Sequence, residues 1–206
     1  VLLLIVSGAA YQLLLNTQRV SRAQAERVEP IPVLFVPSLG ISRTYVFDLP
    51  GASFVEFFTR QGFNLYMIDW GDLGPEDAGF GLEDAVMDII PAMVRRALRH
   101  GGAERVDLFG YCMGVPMAMS YMGTHPDAPV RNLVMMVGPV DFSQAGFFAL
   151  WTAKESFPLD KLVDTYKVAP LEYVRLGFKL LSPMGDVATL TGLWRNLTNE
   201  RYVQSW

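Results

Sequence analysis

The sequence has a single cysteine, only two histidines and few charged residues. One cysteine cannot form a disulfide within the chain or build a cysteine-based metal cluster. Charged residues make up 18% of the sequence, the net charge is −4 and no basic run is present, which argues against a nucleic-acid partner. A free thiol fits a reducing compartment. We therefore expect no resident metal or cofactor and a cytoplasmic location.

Apolar residues make up 51% of the 206 residues, enough for one domain with a substantial core. Residues 1–15 are nearly all apolar, and residues 16–29 are polar. We expect an apolar N-terminal helix and linker over 1–29, because the run is shorter than the roughly 20 residues of a membrane-spanning helix. A buried or partner-facing helix, contact with a membrane and a signal remnant are the alternatives. The first residue is not Met, and we expect a chain truncated at both ends.

The most informative stretch is residues 106–114, Val-Asp-Leu-Phe-Gly-Tyr-Cys-Met-Gly. A short apolar strand leads into Gly-x-Cys-x-Gly, and an apolar helical segment follows. This pattern is typical of a nucleophile elbow, with Cys112 in place of the usual serine. Gly110 and Gly114 remove the Cβ atoms that would collide in so sharp a turn. The alternative interpretation is a buried structural cysteine beside two turn glycines.

The start of a helix suits a reactive thiol, because its free N–H groups and partial positive charge favour the thiolate. The N–H of Met113 would point at the oxygen of an attacked carbonyl. In an α/β hydrolase layout, the loop after the strand at residues 33–36 supplies a second donor, which we place near Leu39. Taken without the elbow, the same loop fits a plain surface turn equally well.

Strands alternate with helical patterns, which predicts a parallel sheet with right-handed crossovers. The predicted strands are residues 33–36, 65–68, 106–109 and 133–137. An amphipathic helix is expected over residues 82–98, with a kink at Pro91 and an end at Gly101-Gly102. Asp69 follows the second strand; it could orient a catalytic group, but a carboxylate that caps its own loop is the favoured interpretation.

After Asp141 the pattern changes to aromatic-rich helices, expected over residues 159–181 and 187–206, with no further strand. These helices predict a cap over the edge of the sheet. The expected organisation is thus an N-terminal helix and linker at 1–29, an α/β hydrolase core at 30–142 and a truncated helical cap segment at 143–206.

A cysteine nucleophile normally needs a base and an orienting carboxylate. His100 precedes the nucleophile at a helix end, and His125 follows the helix behind the elbow, far from Cys112. We interpret both as surface residues. Asp141 could be an acid, but it has no histidine to orient. We therefore expect the base to lie beyond Trp206.

From residue 32 onward the chain resembles the polyhydroxyalkanoate synthases, especially the class III type. The resemblance covers about 170 residues, and its motifs follow in the family's order. They are Val-Leu-Phe-Val-Pro at 33–37, Gly-Ile-Ser-Arg at 40–43, Tyr45, Phe-Asp-Leu at 47–49, Tyr-Met-Ile-Asp-Trp-Gly at 66–71, Gly-Leu-Glu-Asp at 81–84, Gly-Tyr-Cys-Met-Gly at 110–114, Arg-Asn-Leu-Val at 131–134 and Pro-Val-Asp-Phe at 139–142.

The resemblance implies an α/β hydrolase core with a helical cap. It also implies an acyltransferase that moves an (R)-3-hydroxyacyl group from coenzyme A to Cys112 and then to the hydroxyl of another unit. Coenzyme A arrives with the substrate. The implied partners are 3-hydroxyacyl-CoA, the growing polyester, and a second synthase subunit or a second copy of the chain, with the surface of a polymer granule as the location. The family's catalytic Asp and His would lie outside these residues, so this chain alone is expected to be inactive.

Two other interpretations stay open. The family usually continues its elbow with a glycine and a small residue, whereas this chain has Val115 and Pro116. Proline lacks an N–H and crowds the preceding turn, which favours a catalytically degenerate synthase-like partner protein. The other alternative is a cysteine hydrolase resembling dienelactone hydrolase, which shares Gly-Tyr-Cys-x-Gly but lacks a long helical insertion after the fourth strand.

Overall fold

The computed structural model describes residues 2–7, 10–14, 29–39, 44–49, 51–71, 77–141, 143, 179, 184–200 and 203. The chain divides into two compact units, Val1–Val140 and Asp141–Trp206. The predicted linker lies outside the described residues except for Glu29. The predicted helix over 159–181 also lies outside them, apart from Lys179. The predicted cap and its boundary at residue 142 stay predictions.

Six strands form one sheet in the first unit, in the order β2-β1-β6-β3-β7-β8. Strands β1, β6, β3, β7 and β8 run parallel to one another, and β2 is antiparallel to β1. Their bounds are Leu2–Ser7 (β1), Ala10–Leu14 (β2), Pro32–Val36 (β3), Asn64–Asp69 (β6), Val106–Tyr111 (β7) and Val130–Met136 (β8). The two-residue strands β4 (Asp48–Leu49) and β5 (Ala52–Ser53) pair separately. The predicted parallel α/β sheet is confirmed.

Strand β3 shows why the middle of this sheet has unbroken apolar sequence. All five of its residues are buried. Leu34 and Val36 belong to one apolar cluster, and Val33 and Phe35 belong to a second. Because successive side chains of a strand point to opposite faces, both faces of β3 are covered. A strand buried on both sides cannot alternate with polar residues.

The expected helix at the N-terminus is wrong. Residues 2–7 and 10–14 form two antiparallel strands, and β1 pairs in parallel with β6, with Leu2 opposite Tyr66 and Ile5 opposite Asp69. A short apolar run has no period that separates a helix from a strand, and Ser7-Gly8 divides this run into two strand-sized pieces. The β6 edge also needs partners for its backbone N–H and C=O groups, which a helix cannot supply.

Helix α1 (Phe54–Arg60) begins where Ser53 caps it, since the Ser53 hydroxyl oxygen accepts the N–H of Glu56 at 2.7 Å. Its sequence contains three phenylalanines, Phe54, Phe57 and Phe58. Phe54 and Phe58 do pack on the second apolar cluster, but Phe57 is 61% exposed. The buried face extends from Phe54 and Phe58 toward Val55, so Phe57 lies at the margin on the other side.

The helix predicted over 82–98 is present in three parts: α2 (Leu82–Asp84), a π-helical turn (Ala85–Ile89) and α3 (Ile90–Gly101). In the π turn the N–H of Ile90 bonds to the carbonyl of Ala85, five residues back. Pro91 follows at once, and its ring and missing N–H are incompatible with a regular turn there. The irregularity predicted at Pro91 therefore takes the form of a π turn. Gly102, at φ 63°, ends the helix.

Helix α4 (Gly114–Thr124) follows β7 directly. In the second unit, α5 (Gly185–Arg195) covers part of the helix predicted over 187–206, beginning two residues earlier and ending at the Asn196 cap. None of the described helices has the length and apolar character needed to cross a membrane.

Candidate active site

Cys112 occupies the turn between β7 and α4 with a backbone φ of 53°. Only two non-glycine residues of the described chain have positive φ, Cys112 and Val137. Such a conformation costs on the order of 1–3 kcal/mol, and it recurs at active sites where the surrounding structure enforces it. The strained turn predicted from Gly-x-Cys-x-Gly is therefore present.

The two glycines of the motif are required by close backbone contacts. A Cβ at Gly110 would lie 2.8 Å from Cα of Val115 and 2.9 Å from the carbonyl oxygen of Gly114. A Cβ at Gly114 would overlap the carbonyl oxygen of Val36, at the end of β3. The sequence predicted collisions within the turn. The structure adds that α4 begins directly against the neighbouring strand.

Backbone hydrogen bonds hold Cys112 on both sides. Its N–H donates to the carbonyl of Met136 at 3.0 Å, and its carbonyl accepts the N–H of Val115 at 3.0 Å. Among the described residues, nothing accepts a hydrogen bond from the N–H of Met113. Cys112 is a free, partly exposed thiol, which does not fit the alternative of a buried structural cysteine.

Pro116 does not break the elbow. In a regular helix the residue at this position would donate its N–H to the carbonyl of Cys112, and proline has none. That carbonyl accepts the N–H of Val115 instead, so no acceptor is lost. Pro116 is the third residue of α4, within the first turn, where N–H groups have no intrahelical partner in any case.

The loop proposed for the second oxyanion donor starts beside the elbow. The indole N–H of buried Trp70 donates to the carbonyl of Pro37 at 3.1 Å, which fixes the exit of the chain from β3. Leu39 is half-buried and packs on the first apolar cluster. The contact between Val36 and Gly114 brings this exit to the start of α4. The roles of Leu39 and Met113 as donors remain predictions, and residues 40–43 lie outside the described chain.

Asp69 caps its own loop. One of its carboxylate oxygens accepts the N–H of Gly71 at 3.0 Å, and Gly71 has a φ of 72°. This is the local turn arrangement that aspartate favours. The structure thus agrees with the structural interpretation of Asp69.

Neither histidine lies beside Cys112. His100 is exposed near the end of α3, with Nδ1 3.0 Å from the hydroxyl of Tyr66. A Cβ on the next residue, Gly101, would contact Pro32, the first residue of β3. The elbow instead lies against Val36, the last residue of the same strand. His125 caps the far end of α4, about 15 Å along the helix, with Nδ1 3.1 Å from the carbonyl of Tyr121. Both histidines have structural partners away from the thiol.

Asp141 belongs to the second unit and is exposed. Its carboxylate accepts hydrogen bonds from the hydroxyl of Ser143 at 2.6 Å and from the N–H of Ser143 at 2.9 Å. These bonds, the hydroxyl bond first, lower the pKa of Asp141 below its usual value. Among the described residues, no group of histidine, cysteine and acidic side chains could hold a metal ion.

Sequence reasoning missed the aromatic support of the elbow strand. The ring of Tyr111, next to Cys112, lies 5.5 Å from Phe47 and 6.1 Å from Phe35, centroid to centroid. Phe35 also contacts Phe109 at 5.4 Å. Phe47 ends a 3₁₀ helix, Thr44–Phe47, that follows the proposed oxyanion loop. The spacing of single phenylalanines gives no signal for this, because the cluster joins three separate segments.

A parallel sheet, a strained cysteine turn and a helix starting against the neighbouring strand together define the site of an α/β hydrolase. The family model of the alpha/beta hydrolase fold matches residues 31–203, and the chain belongs to that family. The predicted fold class is confirmed.

The chain is also similar to proteins named poly(3-hydroxyalkanoate) polymerase subunit PhaC. The one from Synechocystis sp. is 33% identical over 192 residues, which cover 86% of this chain and 50% of that protein. The one from Haloferax mediterranei is 31% identical over 89% of this chain and 38% of its own length. The one from Allochromatium vinosum is 31% identical over 87% of this chain and 47% of its own length. The chain thus spans half or less of these relatives, and the predicted resemblance is confirmed.

Proposed function

We propose that Cys112 is the nucleophile of an acyltransferase that polymerises (R)-3-hydroxyacyl groups delivered as coenzyme A thioesters. The observation that carries the proposal is the strained, partly exposed thiol at the start of α4, in a chain similar to polymerase subunits. The thiolate sulfur attacks the thioester carbonyl, the carbon–sulfur bond to coenzyme A breaks, and the departing thiolate takes up a proton.

In the second step, the hydroxyl oxygen of another hydroxyacyl unit attacks the carbonyl carbon held by Cys112. The carbon–sulfur bond to Cys112 breaks, an ester bond forms, and the hydroxyl proton passes to the base. Each round lengthens the polyester by one unit and regenerates the thiol. Both steps pass through a tetrahedral oxyanion, for which we propose the N–H groups of Met113 and Leu39 as donors.

The base and its carboxylate are proposed to come from residues beyond this chain. Both histidines of the sequence are engaged away from Cys112, and the relatives are at least twice as long as the matched region. The substrate brings its own coenzyme A, so no resident cofactor is required. A second polymerase subunit or a second copy of the chain, and a place at the surface of the polymer granule, belong to the same proposal.

The test is a product assay on the full-length protein that contains this chain, with 3-hydroxybutyryl-CoA as substrate. We expect release of coenzyme A together with polymer. Cys112→Ala should lower the rate by about 10⁴-fold or more, because the chemistry then lacks its nucleophile. The 206 residues alone should show no turnover.

Three outcomes would contradict the proposal. Turnover by Cys112→Ala would remove the nucleophile assignment. Release of free 3-hydroxybutyrate without polymer would make the protein a hydrolase. A folded full-length protein that releases no coenzyme A, beside an active polymerase control, would support the degenerate interpretation.

A further inference from the structure

The segment after β8 passes unusually close to the elbow, at Gly138. A Cβ on Gly138 would overlap both Cβ and Cγ2 of Val115, and it would lie 2.7 Å from the carbonyl oxygen of Cys112. Val115 is fully buried, so its side chain has no free space into which it could move. Gly138 is therefore required here for space, and its φ is not positive.

The chain reaches this position through a second strained residue. Val137 has a φ of 52°, which is a clear outlier for a β-branched side chain. It follows β8 directly, and β8 pairs with the elbow strand up to Tyr111 opposite Met136. The two strained residues of the described chain thus follow the ends of two neighbouring strands. Exposed Val137, 77% accessible, is not held there by burial of its side chain.

The contacts of this segment fall on the two peptide groups that flank Cys112. Met136 accepts the N–H of Cys112, and Gly138 lies against the carbonyl of Cys112. That carbonyl and the N–H of Met113 belong to the same peptide bond. Because a trans peptide is planar, its C=O and N–H point in opposite directions, and fixing one aims the other. Val115 fixes the same carbonyl through its own N–H at 3.0 Å.

We propose that Gly138 is a positioning residue that, with Val115, holds the Cys112–Met113 peptide so that the Met113 N–H faces the developing oxyanion. The proposal rests on the acyl transfer proposed above. It also gives a structural reason for Val115, one of the two residues by which the elbow departs from the synthase pattern. The space that Gly138 leaves open is filled by the Val115 side chain.

The test distinguishes a change in the orientation of the Met113 N–H from a change in the reactivity of the Cys112 thiol. A p-nitrophenyl ester acylates Cys112 through an oxyanion and needs no recognition of coenzyme A. Iodoacetamide alkylates the same sulfur by direct displacement and forms no oxyanion. Both rates are measured on the full-length protein, with the Cys112 peptide identified by mass spectrometry and the melting temperature recorded for each variant.

We expect Gly138→Ala to slow acylation by about 10- to 100-fold, since removal of one oxyanion donor costs about that or more. Alkylation should change by less than about threefold. The matched control is Gly123→Ala in α4, where a Cβ meets nothing within 4 Å, and both rates should stay at the wild-type level.

A second pair of variants covers the case in which Gly138→Ala does not fold. Val115→Gly removes the side-chain overlap, so the double variant Val115→Gly/Gly138→Ala should melt close to Val115→Gly. It should still acylate several-fold more slowly than Val115→Gly, because the contact with the Cys112 carbonyl oxygen remains. Equal acylation in these two variants, or parallel loss of acylation and alkylation in Gly138→Ala, would overturn the proposal. Failure with 3-hydroxybutyryl-CoA but success with the p-nitrophenyl ester would count against the proposed substrate alone.

Discussion

At the residue scale, the site depends on a backbone conformation that cysteine does not favour. Cys112 is kept at φ 53° by its N–H bond to the Met136 carbonyl, by the Val115 N–H bond to its own carbonyl, and by glycines at 110 and 114 that leave room for the neighbouring chain. The backbone at Cys112 is therefore strained, and the pairing of β3, β7 and β8 supplies the stability that holds it in this conformation. The result is a thiol that projects from the end of a strand instead of continuing along it.

This strain can be measured by comparing Cys112→Gly with Cys112→Ala. Glycine adopts positive φ freely, whereas alanine bears the full penalty, so the glycine variant should be more stable by about 1 kcal/mol. In a thermal scan that difference is a melting temperature higher by about 2–4 °C for a domain of this size. Equal melting temperatures, or a lower one for Cys112→Gly, would show that the turn carries no strain. Gly123→Ala provides the reference for an unstrained helical position.

At the scale of elements, the sheet is stabilised by two apolar clusters, one packed on each of its faces. Phe35 is fully buried on one face of β3 and contacts Phe47, Phe54, Phe109 and Tyr111. Its ring thus joins the elbow strand, α1 and the segment after the oxyanion loop. A change at this residue reaches the site through packing, although it lies one strand away.

We expect Phe35→Ala to destabilise the protein by about 3–5 kcal/mol, the usual cost of deleting a buried aromatic ring. Phe57→Ala is the matched control, since Phe57 is 61% exposed and should cost less than about 1 kcal/mol. Urea unfolding followed by tryptophan fluorescence gives both values. A cost for Phe35→Ala as small as that for Phe57→Ala would mean that the aromatic cluster does not support the sheet.

How much could be predicted from the sequence differs between elements. Strands β3, β6, β7 and β8 and the helix around Pro91 were predictable because their patterns are local: apolar runs, period and turn residues. The N-terminal hairpin was not, since its strand character comes from the free edge of β6, which is distant in sequence. Gly138 was missed for the same reason. Its role depends on Val115, and nothing near Gly138 in the sequence shows that pairing.

At the scale of the whole molecule, the described chain supplies the proposed nucleophile and candidate oxyanion donors but places neither histidine beside them. His100 contacts Tyr66 near the start of β3, at the other end of that strand from the elbow. His125 contacts Tyr121 at the far end of α4. The chain spans half or less of the polymerase subunits it resembles. A divided site, with the nucleophile in this part and the base elsewhere, is the arrangement that our proposal requires.

The most direct measurement is the mass of the peptide containing Cys112 after brief exposure of the full-length protein to 3-hydroxybutyryl-CoA. The account predicts a peptide heavier by one 3-hydroxybutyryl group, or by short oligomers of it, and an adduct that hydroxylamine removes as expected for a thioester. Cys112→Ala should carry no such group. An unmodified Cys112 peptide under conditions in which a known polymerase is acylated, or an adduct on another residue that persists in Cys112→Ala, would contradict the central claim.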